Sequence, residues 1–319
     1  MASQPRKILV VGATGQQGSA VLAELSRQAS TSPSTFPAGV KILALTRKAA
    51  SKGAQSLVPT YGGALDLEVV EGDTKNPEPI FAAHGDIDAV FSFTTMPVDQ
   101  EESQAKPLIT AAAGHGVRHF VFSSVERGGD EKSWENPTDV PHFITKHNIE
   151  LHLRETCAAN PTMSYTILRP VAFMDNFNPT SGFGPVMASL WSTLPASTKL
   201  QLVSVRDIGV FGAKALLSPE QYAGRAIGLA GDELTLLEAR AVYRKVAGLQ
   251  LPQAWGIVGT GLRWFSKELG RMFGFFEREG YGVDIERLRA EEPRLQTFET
   301  WLTESSTFEC GLGKGKGKK

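Results

Sequence analysis

Apolar residues in the first half of the chain fall into short unbroken runs, each closed by turn residues and followed by a polar or helical stretch. Runs of this kind read as strands buried on both faces. They occupy residues 8–11, 40–45, 65–70, 89–93, 119–122 and 165–168. Between the first two, Val21, Leu22 and Leu25 recur at helical spacing with Glu24 and Arg27 on the polar side, and residues 101–114 read as a second helix. No hairpin turn joins consecutive strands. Strands that alternate with helices imply a doubly wound parallel α/β sheet.

The pattern changes after Arg169-Pro170. Residues 173–185 mix Asn, Pro, Gly and Phe without a period and read as a loop over the crevice. Residues 199–205 predict a strand, 208–217 and 222–229 differ from each other in type, and 236–247 predict a helix begun by Thr235. From Trp255, apolar residues recur every three or four positions through Val258, Leu262, Phe265, Leu269 and Phe273, with Arg263, Lys267, Glu268 and Arg271 elsewhere. That is one amphipathic helix. Such a helix lies on a membrane surface or packs as a lid. Gly256, Gly259 and Gly261 weaken it as an isolated helix, so a lid over a substrate pocket is expected. The expected domains are 1–170, with 199–230 returning to it, a smaller, mainly helical lobe at 171–303, and a flexible basic tail at 304–319.

Chemistry first enters where the opening strand ends. Gly12, Gly15 and Gly18 follow the run at 8–11 and lead into a helical pattern, so strand, glycine turn and helix start come in the order of a dinucleotide site. Gly12 permits the tight turn, Gly15 lets backbone approach a pyrophosphate, and Gly18 lets helix and strand pack. Free N–H groups at the helix start then face the phosphates. The spacing is GxxGxxG, and a strand can also turn into a helix with no ligand. The second strand ends at Thr46-Arg47-Lys48. An acid there would hold a ribose 2′-hydroxyl, whereas two bases suit a 2′-phosphate and favour NADP over NAD. The alternative is a solvated pair. Asp73 and Thr74, past the third strand, lie beside adenine or cap the next helix. Thr94, Thr95 and Met96 follow the fourth strand, and strand ends gather at the ligand crevice.

Composition narrows the classes. The chain has 319 residues, 41% hydrophobic and 21% charged, with a formal net charge of -1. No global basic field draws it to nucleic acid, and no helix-turn-helix or zinc-finger spacing supplies a base-reading element. Cys157 and Cys310 form neither a disulfide framework nor a CxxC pair. The N-terminus runs straight into a strand, leaving no signal peptide, and no apolar run approaches the ~18 residues of a membrane span. The expectation is a soluble cytoplasmic protein, with the nucleus as a second compartment, no membrane partner and no repeat.

Two residues one helical turn apart, His142 and Lys146, follow the fifth strand and share a face. A lysine there can hold nicotinamide-ribose hydroxyls, and a histidine can exchange a proton near neutral pH. The alternative is a solvated lysine beside a packing histidine. His147 and His152 are not a metal pair, because a spacing of five puts them about 140° apart on a helix. Ser123 and Ser124 lack a GxSxG elbow.

Taken together, these motifs resemble the NmrA-like family, atypical members of the short-chain dehydrogenase/reductase superfamily, over nearly the whole chain. The residues that carry the resemblance are 12–18, Thr46-Arg47-Lys48, Gly72-Asp73, 119–124, His142-Phe143 with Lys146, and Tyr165 to Pro170 continuing to 173–177. The resemblance implies a Rossmann domain with a smaller C-terminal lobe and NADP(H) between them. It assigns the pyrophosphate to Gly12, Thr14, Gly15, Gln16, Gln17 and Gly18, the 2′-phosphate to Arg47 and Lys48, and adenine to Asp73 and Thr74. Thr94, Thr95, Met96, Lys106, Lys146, Phe173, Met174, Asp175 and Asn176 would surround the nicotinamide half. Catalytic relatives in the wider superfamily carry Tyr-x-x-x-Lys, and here His142 holds the tyrosine position. Two functions follow as expectations. One is an NADPH-dependent oxidoreductase of a small carbonyl or aromatic substrate, with Lys146 and His142 as its catalytic residues. The other is a non-catalytic NADP(H) sensor that regulates a partner protein in transcription.

Overall fold

The computed structural model describes residues 5–34, 36–178 and 181–306. The strands there are β1 (Lys7–Val10), β2 (Lys41–Thr46), β3 (Asp66–Glu71), β4 (Ala89–Phe93), β5 (His119–Ser123), β6 (Ser164–Pro170), β7 (Ala172–Phe173), β8 (Leu200–Val203), β9 (Arg225–Leu229) and β10 (Asp232–Leu234). The helices that position the site are α1 (Gln16–Thr31), α2 (Glu101–Gly114), α3 (Pro141–Ala159), α4 (Gly184–Trp191), α5 (Val205–Leu217), α6 (Leu236–Ala247), α7 (Gly256–Phe265), α8 (Lys267–Arg278) and α9 (Phe298–Glu304).

Seven strands form one parallel sheet in the order β3-β2-β1-β4-β5-β6-β9. The apolar runs are continuous because both faces are covered. Ile8 and Val10 join the core under α1 and α5, while Leu9 and Val11 join the core under α2 and α3. Successive side chains point to opposite faces, so a strand covered on both sides is apolar at successive positions wherever no buried polar partner is supplied. Glycines set the distance between α1 and α5. A Cβ on Gly209 would come within 2.5 Å of Ala20 backbone, and one on Gly212 within 2.9 Å of Val21.

A second, three-stranded sheet has the order β10-β8-β7, with β10 antiparallel and β7 parallel to β8. It carries the smaller lobe, whose core is rich in aromatics: Phe143, Phe177, Trp191, Tyr243, Phe273, Phe275, Phe276, Phe298 and Trp301. Within 199–230, β8 stands in this small sheet, while α5 and β9 pack on and extend the large one. Of the loop expected at 173–185, residues 173–177 form the end of β7 and a 3-10 turn at Met174–Phe177, and the helix α4 starts at Gly184, while Asn178 and residues 181–183 lie between them outside any helix or strand. Met174 and Phe177 plug into the lobe core, which one short turn achieves without any helical period.

The single helix expected from Trp255 to Phe273 is also corrected. It is two helices, α7 and α8, broken at Ser266. Ser266 adopts extended backbone and its Oγ accepts the Leu269 N–H at 3.3 Å, so it caps α8. Gly270 then lets α8 pass close to α7, since a Cβ there would lie 2.4 Å from the Arg263 carbonyl oxygen. No helix of the described residues is long and apolar enough to cross a membrane. Of the expected tail, residue 304 ends α9 and residues 307–319 lie outside the described residues.

Candidate dinucleotide site

The sheet reverses direction of growth at β1, which pairs with β2 on one side and β4 on the other. A crevice opens past the carboxyl ends of strands at such a point. Here it is a cleft of about 870 Å³, within the range that encloses cofactor-sized ligands. Among its lining residues are Gly12, Thr14, Gly15, Gln16 and Gln17 after β1, and Arg47, Lys48 and Ser51 after β2. Asp73, Thr74 and Lys75 follow β3, and Thr94, Thr95, Met96 and Pro97 follow β4. The cleft therefore gathers four separate strand ends.

The glycine turn has a packing reason that the sequence motif does not reveal. Gly12 has φ +61°, and a Cβ there would come within 2.6 Å of the Phe93 ring. Gly15 clears the same ring, with Phe93 at 3.5 Å and the Gly12 carbonyl oxygen at 3.2 Å from a Cβ placed on it. A Cβ on Gly18 would meet that oxygen at 2.3 Å, and Gly18 is buried. α1 starts at Gln16 with no side-chain cap and no acid in its first turn. Its leading N–H groups are thus left for an anion, and the helix dipole favours one there. Gln17 Oε1 is buried in the cleft wall without a hydrogen-bond partner. The side chains of Arg47 and Lys48 are exposed and make no ion pair among the described residues. Uncapped N–H groups and two unpaired cations are the donor set that a phosphate-rich dinucleotide requires, and the orphaned Gln17 oxygen is an acceptor left open to a ligand hydroxyl.

Residues without a motif complete the cleft. Lys75 Nζ donates to Gln100 Oε1 at 2.6 Å, which ties the β3 end to the segment after β4. Gln104 accepts the Thr95 N–H at 3.0 Å and donates to the Thr95 carbonyl at 2.9 Å, fixing the backbone beyond β4. Asp73 Oδ1 accepts the Lys75 N–H at 2.9 Å, so its carboxylate shapes its own turn.

At the β4 end, Lys146 on α3 donates to Thr94 Oγ1 at 2.7 Å and to Glu101 Oε1 at 3.2 Å. Glu101 is buried and also accepts from Thr145 Oγ1. His142, one turn earlier, has Nδ1 hydrogen-bonded to Glu268 Oε1 on α8. Burial works to raise the Glu268 carboxyl, but the bond to His142 outweighs it and holds the group below the ordinary range. Lys146 thus reaches a residue of the cleft wall, whereas neither its own side chain nor that of His142 lines the cleft. α8 meets α3 through Glu268 and through Phe275, whose ring packs edge to face on Phe143 with centroids 5.4 Å apart, and α7 contributes no residue to the cleft wall.

The remaining candidates sit elsewhere. Lys106 lies 2.5 Å from Glu102 on the same helix, at the i,i+4 spacing that favours such pairs, and does not reach the cleft. Met174 is fully buried in the small-lobe core. Asp175 accepts the Val205 N–H at 2.9 Å, and burial pushes its carboxyl up. Phe173 pairs with Val203 in the small sheet, and neither it nor Asn176 lines the cleft. Ser124 donates to the buried Glu150, and Ser123 Oγ is buried without a partner.

The NmrA-like family model matches residues 4–302. The chain belongs to the NmrA-like family. It is 28% identical over 263 residues to the NAD(P)H azoreductase of Xenophilus azovorans, covering 80% of this chain and 82% of that one. Its fold is similar to that of NADPH-dependent quinone oxidoreductase QOR2 from Escherichia coli, solved with NADPH. That match has a TM-score of 0.68 and 20% identity, over 93% of this chain and 98% of that one. NmrA, a negative transcriptional regulator solved with NADP, superimposes with a TM-score of 0.67 at 16% identity, over 95% and 96% of the two chains. At these identities the solved structures speak to the fold. Among the proteins it resembles are thus an NAD(P)H azoreductase by sequence and, by fold, an NADPH-dependent quinone oxidoreductase and the regulator NmrA.

Proposed function

We propose that this NmrA-like protein binds NADP(H) in the cleft and acts as an NADPH-dependent oxidoreductase on a small carbonyl-bearing or aromatic molecule. The observation that carries the reading is Lys146. Its ammonium is held at the end of β4 by Thr94 and by a buried carboxylate, where the nicotinamide half of a dinucleotide laid along the cleft would end. NADPH, when bound, supplies a hydride. The N–H groups at the start of α1 hold the pyrophosphate, and Arg47 with Lys48 holds the 2′-phosphate. Lys146 orients the ribose hydroxyls beside Thr94. Glu268 fixes the imidazole of His142 through Nδ1, which leaves Nε2 as the atom that carries a proton to the substrate.

The test is NADPH oxidation by the full chain over a panel of carbonyl and quinone substrates, with cofactor binding measured separately. Turnover above buffer is expected, with kcat/KM falling about a hundredfold or more in Lys146→Ala. Bound NADPH with no turnover on any substrate counts against the enzyme. Turnover that Lys146→Ala leaves untouched removes Lys146 from the chemistry.

One observation favours the second reading, a non-catalytic NADP(H) sensor that regulates a partner protein. His142 replaces the tyrosine and is held by Glu268, and its side chain does not line the cleft. A sensor requires different affinities for NADP and NADPH. Equal affinities, with partner capture indifferent to the dinucleotide, would exclude it.

A further inference from the structure

Helix α7 is built the wrong way round for a helix that faces water. At 100° per residue, Gly259, Leu262 and Arg263 share one face, and Ile257, Gly261 and Trp264 the other, with Phe265 at its margin. The first face is attached to the lobe. Gly259 is buried, and a Cβ on it would lie 2.3 Å from the Ser189 carbonyl oxygen. Its N–H donates to Ser189 Oγ at 3.1 Å, and Arg263 donates to the Thr193 carbonyl at 3.0 Å. The second face holds the large apolar groups. Ile257 is 76% exposed, Trp264 85%, Phe265 87%, and Trp255 at the N-cap 83%. Trp264 and Phe265 pack edge to face on each other, with ring centroids 6.2 Å apart. A contiguous ridge of this kind marks an interaction surface.

What covers it follows from shape and charge. None of these residues lines the dinucleotide cleft, so the ridge is not the wall of that pocket. It is a convex helix face and offers no groove for a peptide. The segment 307–319 carries only Phe308 and Leu312 as large apolar residues, too few to bury four. No acid occurs from Trp255 to Lys267, and Lys267 and Arg271 follow the ridge, while Arg263 is turned to the lobe and paired with Glu277. The nearest acids are committed, Glu268 to His142 and Glu277 to Arg263. Lys267 is exposed and makes no ion pair among the described residues. A chain of net charge -1 thus carries a local cationic rim around exposed tryptophan, phenylalanine and isoleucine. Tryptophan and phenylalanine beside lysine and arginine are the groups that partition into the headgroup boundary of a bilayer, with the cations drawn to anionic lipid.

We propose that α7 is a membrane-surface contact. Its outward face, with Ile257, Trp264 and Phe265, lies flat in the headgroup region of an anionic bilayer, with the exposed Trp255 at its N-terminal end, and Lys267 and Arg271 meet the lipid phosphates and carboxylates. With ten residues α7 is about 15 Å long, enough to lie in the interface and too short to cross it. This surface is separate from the cleft and does not depend on what the cleft does.

The test is sedimentation of the full chain with unilamellar vesicles of phosphatidylcholine, with and without phosphatidylserine, while tryptophan emission is followed. Binding to the phosphatidylserine vesicles is expected, with a blue shift and weakening by salt. The double variant Trp264→Ser/Phe265→Ser should lose about tenfold or more in partitioning, and Lys267→Glu should lose several-fold. Both should keep the far-ultraviolet circular dichroism and the NADPH affinity of the parent, and Ile257→Ser serves as a second, milder substitution. The proposal is overturned by absence of binding to either vesicle, or by variants that bind as the parent does. Equal binding to neutral vesicles overturns the anionic requirement. A concentration-dependent dimer dispersed by Trp264→Ser/Phe265→Ser, without vesicle binding, assigns the ridge to a second copy of the chain instead.

Discussion

Glu150 carries two guanidinium groups at the centre of the molecule, and its neutralisation should be among the most damaging single changes available. Glu150, Arg127 and Arg169 are all fully buried. The carboxylate lies 2.8 Å from Arg127 and 2.7 Å from Arg169, and also accepts from Ser124 Oγ. Burial works to raise it, but the two guanidiniums outweigh burial and hold it below the ordinary range. In Glu150→Gln both cations stay, since Arg127 is fixed by the carbonyls of Val125, Ser133 and Asn136, and Arg169 by that of Asp130 and by the Trp134 ring at 4.3 Å. Breaking one buried pair costs about 3–5 kcal/mol because a charge is left uncompensated. Here one substitution strands two, so a loss of about 5 kcal/mol or more is expected, a large share of the ~5–15 kcal/mol that holds a domain folded. Urea denaturation followed by fluorescence measures it. The sharper control is Arg127→Met/Glu150→Leu/Arg169→Met, which removes all three charges and should be less destabilised than Glu150→Gln alone. A loss below about 1 kcal/mol in Glu150→Gln, or a triple variant worse than the single one, refutes the electrostatic account.

Three other outcomes follow from the cleft and the sheet. Gly12→Ala forces a side chain into φ +61° against Phe93, and should cost about 1–3 kcal/mol in stability as well as weakening NADPH binding measured by calorimetry; unchanged affinity would mean that the turn does not touch the dinucleotide. Arg47→Ala/Lys48→Ala should lower NADPH affinity about tenfold and leave NADH affinity unaltered, and an equal loss for both dinucleotides contradicts a 2′-phosphate site. His119 sits between Ser164 Oγ and Thr166 Oγ1, and burial depresses it from 6.5 to about 4. The unfolded chain therefore binds the extra proton between those values. Stability from this group is complete above pH 6.5 and is lost as pH falls toward 4, by about 3 kcal/mol. His119→Gln should remove that component from the pH profile of the denaturation midpoint, and parallel profiles for the two proteins contradict it.

The large sheet was legible because its central strands are apolar on both faces, as in Ile8, Leu9, Val10 and Val11, and because β1 ends in glycine and β2 in two bases. Of the small sheet only β8 was legible. β7 has two residues and β10 three, too short for any periodicity to register. Ser266 was hidden for a different reason: the apolar period continues through it, and only its extended backbone and its cap to Leu269 mark two helices. Within the site, strand-end residues could be read locally, whereas the partners that hold them could not. Phe93 packs beneath Gly12, Glu101 reaches Lys146 across 45 residues, and Glu268 reaches His142 across 126. Nothing in local sequence announces such pairs. The pairing of Lys106 with Glu102 one turn before it was equally hidden, since a lysine in a helix does not announce which carboxylate it will meet.

The replacement of tyrosine by His142 gains its meaning from those distant partners. A phenol at that position needs a neighbouring cation to lower the cost of giving up its proton, and a lysine one turn along supplies one. An imidazole needs the reverse, a neighbouring anion that stabilises its charged form. In this chain each role has been re-partnered. Lys146 is paired with Glu101 and Thr94, and the carboxylate of Glu268 faces His142 from the smaller lobe. A histidine left with no carboxylate would have argued for a position released from chemistry. If His142 takes the proton-carrying role proposed for it, its hydrogen bond to Glu268 ties that role to α8, so that the lobe's seating on α3 sets the position of the imidazole. The enzyme and sensor readings thus place different demands on the same contact. Catalysis needs Glu268 and His142 to stay together while substrate enters, and sensing needs the dinucleotide state to change how they meet.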